Sequence, residues 1–287
     1  MYAVIDIGSN SVRLMYHDGV KTLSKRIITT QLAEGLSKTS TLKFEAVERT
    51  ARAVSFFVEE SLKSVDKNNL YVFATAAVRQ AENGKMFTER VKELCDIDVD
   101  VISGENEAKL GILGALGGQD GGIIDIGGAS TEIVVINNKK QIYCKSLNIG
   151  AVRLKDLCGQ NQYKTEIETA NIISGFGEIP KVEYYGIGGT ITTVSAMIQD
   201  LKVYDSNKTD GFKIKVEDVC MLKNKLFSMT VEERKKLNGL QEKRAEIIAH
   251  GVSILYEIMN KFNIDYVITS ESDNLEGYLK FKREINE

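Results

Sequence analysis

The sequence is poor in the residues from which several common catalytic centres are built. Its 287 residues include one proline, two histidines, four cysteines and no tryptophan. With only His17 and His250 available, a histidine-rich metal centre or a Ser-His-Asp triad would need partners that the chain hardly contains. The cysteines stand far apart, with no CxxC pair, so we expect free thiols in a reducing compartment, the cytoplasm.

Long hydrophobic runs and a strong charge of one sign are also missing. No apolar run approaches the roughly 18 residues that a membrane-spanning helix needs, and the first residues lack the basic leader of a signal peptide. The 37 basic and 40 acidic side chains nearly balance, at a net charge of −3, and no basic run is interleaved with aromatic residues. The sequence therefore predicts no membrane or nucleic-acid partner, and a local site must hold any anionic ligand.

What the chain does contain is a repeated motif of a strand followed by a glycine turn. The segment Val4–Ser11 reads VIDIGSNS, and the segment Ile123–Ser130 reads IIDIGGAS in the same alignment. In each, a predicted buried strand ends at an aspartate, a glycine turn follows, and another strand comes next. A repeat over this distance indicates two copies of one domain rather than a solenoid of short units.

We expect each copy to be an α/β domain that opens with a three-stranded meander. Between the copies, residues 114–122 read GALGGQDGG and contain five glycines, a composition that is typical of a linker or hinge and poor for a helix interior. The predicted domains are residues 1–116 and 117–287. The last helix, at about residues 273–287, is expected to pack back on the first domain.

The repeated turns have the composition of phosphate-binding loops. Glycine lets the backbone approach an anion closely, and the N–H groups of such a turn form a concave anion site. A third glycine turn follows the predicted strand Val182–Ile187 and opens a predicted helix at Thr190–Gln199, whose N-terminus adds partial positive charge. The candidate phosphate-binding residues are Gly8, Ser9, Asn10 and Ser11 in the first loop, Gly127, Gly128, Ala129, Ser130 and Thr131 in the second, and Gly188, Gly189 and Thr190 in the third turn.

Each repeated loop also has an aspartate at the end of its strand, and an aspartate alone would repel phosphate. Asp6 and Asp125 are therefore predicted to hold a divalent cation, directly or through water. Mg²⁺ suits this arrangement because it takes few carboxylates, retains waters and binds phosphate oxygens.

Seven segments of the chain, in order from Ala3, read AVIDIGSNSVRL, ATAAVRQAEN, ISGENEAKLG, IDIGGASTE, NIGAVRL, GIGGTITT and KRAEIIAHGVSIL. They resemble the successive motifs of the exopolyphosphatase and guanosine-pentaphosphate phosphatase family (Ppx/GppA), and the resemblance extends to about Leu279. The family belongs to the superfamily of acetate and sugar kinases, heat-shock chaperones and actin. The resemblance therefore implies two ribonuclease-H-like, actin-like domains that flank a central phosphate cleft, and a homodimer that associates through the second domain.

Carried over by position, the resemblance implies that Glu107 in GENEA is the catalytic base, and Glu105 is its rival in the same motif. Arg79 in AVRQA would face the phosphate chain. Glu132 in GGASTE would help to hold the metal or to orient the water. Arg153 in GAVRL is a weaker candidate, with domain packing as its expected function.

Two residues depart from the family pattern. Ala129 stands where a glycine usually completes GGGS, and Leu275 replaces the arginine of the closing Gly-Leu-Arg-Glu-Gly motif. The leading expectation is a Mg-dependent phosphohydrolase that releases terminal orthophosphate from inorganic polyphosphate, with guanosine pentaphosphate as a second candidate substrate. Two alternatives stay open: a small-molecule kinase of the same superfamily, and an alarmone- or nucleotide-binding regulator with weak or no catalysis.

Overall fold

A computed structural model describes residues 1–286 of the chain, which form two compact units. Unit 1 comprises Met1–Leu110 and the chain from Asn274 onward, and unit 2 comprises Gly111–Asp273. The domain boundary predicted from the sequence, between residues 116 and 117, lies within unit 2. Within residues 1–286, no helix combines the length and the apolar character that a membrane crossing requires.

Unit 1 is built on a five-stranded mixed sheet. Its strands are β1 (Tyr2–Ile7), β2 (Ser11–His17), β3 (Thr22–Thr29), β4 (Leu70–Ala74) and β5 (Asp100–Val101). The first three strands form an antiparallel meander, β4 runs parallel to β1, and β5 runs parallel to β4. The order across the sheet is β3-β2-β1-β4-β5, which places the meander on one side and the parallel strands on the other.

Unit 2 repeats this plan around a six-stranded sheet. Its strands are β6 (Gly121–Ile126), β7 (Thr131–Asn137), β8 (Lys140–Leu147), β9 (Tyr184–Ile187), β10 (Lys213–Lys215) and β11 (Tyr266–Thr269). The strands β6, β7 and β8 form the second meander, β9 runs parallel to β6, and β11 runs parallel to β9. The order is β10-β11-β9-β6-β7-β8, with the antiparallel β10 at the edge.

Helices of both units pack their apolar faces into the cores of the sheets. In chain order they are α1 (Leu36–Thr39), α2 (Phe44–Ser61), α3 (Ala76–Gln80), α4 (Gly84–Cys95), α5 (Gly104–Ala115), α6 (Ala151–Cys158), α7 (Gln162–Ile173), α8 (Gly188–Ile198), α9 (Ser206–Thr209), α10 (Val216–Ser228), α11 (Val231–Arg234), α12 (Ile248–Lys261) and α13 (Asn274–Asn286), with short 3-10 turns at Lys67–Asn69, Ser174–Phe176 and Glu242–Arg244. In α2, for example, Val47, Ala51, Val54 and Val58 are buried at helical spacing, which is the pattern of an amphipathic helix.

The last helix, α13, belongs to the core of unit 1. Leu275 and Tyr278 lie in one buried cluster with Phe73 of β4, and the ring of Tyr278 stacks on that of Phe73 with centroids 4.4 Å apart. Glu276 of the same helix forms an ion pair with Lys25 of β3 at 2.8 Å. Leu275, which departs from the family arginine, is therefore a packing residue of the unit 1 core.

The prediction that residues 114–122 form a linker or hinge is wrong at both ends of this segment. Gly114 lies in the last turn of α5, and Gly121 and Gly122 begin β6. A Cβ atom at Gly114 would lie 2.0 Å from the carbonyl oxygen of Asp273. This close approach of two backbones within unit 2 requires a glycine, and the packing offsets the low helix propensity of that residue.

Candidate functional site

In unit 1, the first loop is a tight turn between β1 and β2. The amide of Gly8 donates to the carbonyl oxygen of Ser11 at 3.0 Å, which closes the turn. The amides of Thr30 and Gln31 each donate to the carbonyl oxygen of Asn10 at 2.9 Å. Backbone hydrogen bonds from two segments therefore fix the shape of the first predicted phosphate loop.

The aspartate of this loop is already engaged by an arginine. Asp6 lies opposite Arg13 in the register of β1 and β2, and its Oδ2 accepts hydrogen bonds from Arg13 Nε at 2.9 Å and Nη2 at 2.5 Å. A guanidinium that makes two hydrogen bonds is a strong partner for a carboxylate. Arg13 is not among the residues predicted from the sequence, although its pairing with Asp6 follows from the symmetry of a hairpin about its turn. The ion pair with Arg13 compensates the charge of Asp6. A metal ion is therefore less necessary beside Asp6 than beside an isolated aspartate.

Glu107 and Arg79 meet in unit 1 although they lie far apart in the chain. Glu107 is in the first turn of α5, where Ser103 Oγ accepts from the amide of Asn106 at 3.1 Å and so caps the helix. Arg79 Nη1 donates to Glu107 Oε2 at 2.9 Å and to the carbonyl oxygen of Ile102 at 2.8 Å. The guanidinium therefore holds the Glu107 carboxylate in one orientation.

The carboxyl group of Glu107 has the electrostatics of a general base. Glu107 is 7% exposed, and burial raises its pKa above the ordinary value, while the ion pair with Arg79 and a hydrogen bond from Thr75 oppose the shift and the charge of Asp6 adds to it. A carboxylate with a raised pKa accepts a proton more readily. Glu105, the rival in the same motif, is exposed and paired with a lysine one turn along α5, so Glu107 is the better candidate.

In unit 2, the second loop repeats the backbone of the first. The amide of Gly127 donates to the carbonyl oxygen of Ser130 at 3.0 Å. Arg153 Nε donates to the carbonyl oxygen of Ala129 at 3.0 Å, so this arginine fastens the loop from within unit 2. Ala129 itself is buried.

The aspartate of the second loop faces an acid instead of an arginine. Asp125 lies opposite Glu132 in the register of β6 and β7, with Cβ atoms about 5 Å apart in such a pair. Glu132 is 3% exposed and accepts a hydrogen bond from Ser146 Oγ at 2.5 Å. Two neighbouring carboxylates fit a Mg²⁺ ion that completes its shell with water and phosphate oxygens. Within the described chain, no group of three or more His, Cys, Asp or Glu residues could hold an ion by itself.

The third glycine turn brings an unpredicted arginine to the site. The helix α8 begins at Gly188 rather than at the predicted Thr190. Gly188 has φ +81°, and a Cβ atom there would lie 2.7 Å from Asp125 Oδ1. A Cβ atom at Gly189 would lie 2.2 Å from Arg244 Nη1, so the guanidinium occupies the space beside this glycine. The motif KRAEIIAHGVSIL contains Arg244, but its spacing does not reveal where the side chain lies.

Two of the predicted phosphate contacts use their hydroxyl groups inside unit 2. Thr131 Oγ1 donates to the carbonyl oxygen of Ile149 at 2.6 Å, and Thr190 Oγ1 donates to that of Ile126 at 2.9 Å. Because a hydroxyl group has a single hydrogen, neither can also donate to a phosphate in this arrangement. The backbone amides and the serine hydroxyls of the loops are the better candidates for phosphate contacts.

Comparisons with known proteins connect this geometry with one family. The model of the Ppx/GppA phosphatase family matches residues 11–281. The chain is 30% identical to the bifunctional 3-dehydroquinate synthase/phosphatase of Fusobacterium nucleatum, over 96% of this chain and 45% of that protein. It is 28% identical to the guanosine-5'-triphosphate,3'-diphosphate pyrophosphatase of Pseudoalteromonas atlantica (92% and 55%) and 28% identical to exopolyphosphatase 2 of Mycobacterium tuberculosis (96% and 96%). The chain spans about half the length of the first two relatives and nearly all of the third.

Solved structures confirm the predicted fold class. An exopolyphosphatase-like protein superimposes with a TM-score of 0.92 at 25% identity, over 99% of both chains. The PPX-GPPA enzyme of Aquifex aeolicus gives a TM-score of 0.77 at 28% identity, over 97% of this chain and 98% of that chain. The fold is thus α/β, with two ribonuclease-H-like units of the actin-like type.

Proposed function

Because the chain belongs to the Ppx/GppA phosphatase family, we propose that it is a phosphohydrolase that releases terminal orthophosphate from inorganic polyphosphate. One relative is named an exopolyphosphatase, and this name supports polyphosphate as the substrate. Another is named a guanosine-5'-triphosphate,3'-diphosphate pyrophosphatase, which makes guanosine pentaphosphate the second candidate. The observation that carries the proposal is the buried Glu107, with its raised pKa, beside Arg79.

Hydrolysis of a phosphoanhydride needs a base for the water and positive charge for the phosphate. In the proposed reaction, Glu107 accepts a proton from water while the water oxygen attacks the terminal phosphorus, in line with the anhydride oxygen. The bond between phosphorus and that bridging oxygen breaks. The shortened chain leaves with the bridging oxygen, and orthophosphate is the second product. Arg79 keeps the Glu107 carboxylate oriented and presents a guanidinium to phosphoryl oxygens.

The three glycine turns supply the phosphate contacts in this proposal. The amides of Gly8 and Gly127 close the two turns, and other amide groups of the two loops provide the donors for phosphate. The N-terminus of α8 and the guanidinium of Arg244 add positive charge at residues 188–190. These groups attract phosphate locally, as a chain with a net charge of −3 requires.

We expect Mg²⁺ at the acidic pair of unit 2. Asp125 and Glu132 would hold the ion together with phosphate oxygens and water, and the bound ion would offset phosphate charge. Asp6 stays a predicted ligand through water, with its carboxylate paired to Arg13. We further propose a cytoplasmic homodimer. The four free cysteines are in keeping with a reducing compartment.

The non-catalytic regulator stays an alternative. Ala129 and Leu275 suggested it because both depart from the family pattern. Leu275 packs in the core of unit 1, and Ala129 is buried. Hydrolysis stays the leading proposal over the regulator and over a small-molecule kinase, because the chain belongs to a phosphatase family.

The test is orthophosphate release from polyphosphate by the wild type and by Glu107→Gln. We expect kcat to fall by about 10² to 10⁴ when the base is removed. Glu105→Gln, which neutralises an exposed acid of the same helix, is the matched control and should keep the wild-type rate. Equal rates for the wild type and Glu107→Gln would remove Glu107 from this role. Short polyphosphate, long polyphosphate and guanosine pentaphosphate, assayed in parallel, identify the preferred substrate.

A further inference from the structure

A buried arginine contacts the backbone next to Arg244 and is not part of the proposed chemistry. Arg234, at the end of α11, is 1% exposed. Its Nε donates to the carbonyl oxygen of Leu226 at 2.7 Å, and its Nη1 donates to Gln160 Oε1 at 2.6 Å and to the carbonyl oxygen of Ala245 at 3.4 Å. Within residues 1–286, no carboxylate forms an ion pair with it. Burial of a cation without an acid is costly, so this side chain calls for an explanation beyond packing.

Gln160 connects Arg234 to the segment that contains Arg244. Its Oε1 accepts the hydrogen bond from Arg234, and its Nε2 donates to the carbonyl oxygen of Glu246 at 3.0 Å. Arg234 itself reaches the carbonyl oxygen of Ala245. These two carbonyl groups come directly after Arg244 in the chain. The bridge therefore fixes the backbone at the point from which the Arg244 side chain departs.

Further along the chain from Arg244, two more contacts hold the same segment in place. His250 Nε2 lies 2.7 Å from the carbonyl oxygen of Gly159, so the loop after α6 contacts the segment a second time. A Cβ atom at Gly251 would lie 2.6 Å from Thr190 Cγ2, which means that α12 packs directly on the first turn of α8. The segment thus has little freedom to slide along the third glycine turn.

We propose that Arg234 and Gln160 are positioning residues that hold the Arg244 guanidinium against Gly189. The space there is narrow, since Nη1 and Nη2 of Arg244 would be 2.2 and 2.3 Å from a Cβ atom at Gly189. A displacement of about 1 Å can cost a binding group most of its effect. The inference deepens the proposed function and rests on it in one respect, that the ligand of Arg244 is phosphate.

The experiment compares Gln160→Leu with the wild type, because Gln160 is exposed and its loss should leave the fold intact. Binding of inorganic tripolyphosphate is measured by calorimetry in the presence of a chelator, and KM and kcat are measured with polyphosphate. We expect Gln160→Leu to raise the dissociation constant and KM by about tenfold, the size expected for loss of one hydrogen-bonded bridge. The value of kcat should change little, and Tm should fall because the buried Arg234 loses one acceptor. Gln162→Leu, which removes a neighbouring half-buried amide that contacts Glu166 and Asn224 instead, is the matched control.

A double-mutant cycle separates positioning from a general loss of stability. In an Arg244→Gln background, Gln160→Leu should have no further effect on the dissociation constant, because the group that it positions is absent. Arg234→Lys keeps the positive charge but loses the planar set of guanidinium N–H donors, so it should behave like Gln160→Leu. Unchanged binding in Gln160→Leu, or an equal further loss in the Arg244→Gln background, would overturn the inference. A wild type that neither binds tripolyphosphate nor hydrolyses polyphosphate would instead contradict the proposed function, and with it the phosphate role of Arg244.

Discussion

In unit 1 the aspartate at the end of the first strand faces Arg13, whereas in unit 2 the equivalent aspartate faces Glu132. The backbones of the two loops are otherwise alike. In each, the glycine amide donates to the carbonyl oxygen of a serine three residues later, at 3.0 Å. The same hairpin register therefore brings a cation to Asp6 and a second anion to Asp125.

A repeated backbone therefore need not repeat its chemistry. In unit 1 the charges are largely paired, since Arg13 binds Asp6 and Arg79 binds Glu107. In unit 2 two carboxylates lie opposite each other at the loop, and such a pair suits a Mg²⁺ ion. We therefore expect unit 1 to contain the proton acceptor and unit 2 to contain the metal site.

The largest expected effect is a difference in stability between a variant of the first loop and a variant of the second. Arg13→Gln leaves Asp6 buried without its ion pair and should lower the free energy of unfolding by about 3 kcal/mol. Glu132→Gln keeps an acceptor for Ser146 Oγ and should change the free energy of unfolding much less, measured in a chelator. Denaturant unfolding of both variants measures these values.

A second substitution checks the cause of the first result. Asp6→Asn in the Arg13→Gln background should recover part of the lost stability, because it removes the unpaired charge. If Arg13→Gln and Glu132→Gln destabilise the protein equally, the electrostatic contrast between the loops is wrong.

The next effect concerns the metal. Glu132→Gln should raise the Mg²⁺ concentration that gives half-maximal phosphate release by about tenfold, since it removes one of the two carboxylates. Arg13→Lys, which keeps a positive charge beside Asp6, should leave that concentration unchanged. An unchanged Mg²⁺ requirement in Glu132→Gln, or a large shift in Arg13→Lys, would move the metal site away from the acidic pair of unit 2.

The smallest expected effect tests whether the backbones of the two loops are equivalent. A Cβ atom at Gly8 would lie 3.3 Å from the carbonyl oxygen of Ser11, and one at Gly127 would lie 3.2 Å from that of Ser130. Gly8→Ala and Gly127→Ala should therefore each cost about 1 kcal/mol, and the two values should agree. Thermal unfolding of both variants provides the comparison, and a much larger loss in one of them would show that the turns are not equivalent.

Patterns that are local in the chain were enough to predict the fold class and the main candidates. The repeat of Asp, Gly and Ser after a buried strand indicated a duplicated α/β domain, and the structural comparisons confirm that fold. Glu107 and Arg79 came from motifs that the resemblance supplied. The assignment of Glu107 as the base stays a prediction, which its burial and its ion pair support.

Packing between distant segments accounts for what the sequence analysis missed. Gly114 was assigned to a linker because glycine is a poor helix former, but the carbonyl oxygen of Asp273 lies where its side chain would be. Thr131 was assigned to phosphate by its hydroxyl group, which instead donates to Ile149. Composition cannot distinguish a glycine or a threonine that serves a ligand from one that serves a neighbouring backbone.

The sequence by itself determined the two Asp-Gly-Ser loops, their equivalence and the family, because strand, turn and motif are encoded by adjacent residues. Only the tertiary structure decided which charges meet. It brought Arg79 to Glu107 across 28 residues and Arg244 to Gly189 across unit 2. Such meetings depend on how sheets and helices pack, and the direction of one long side chain in that packing is not encoded in its local sequence.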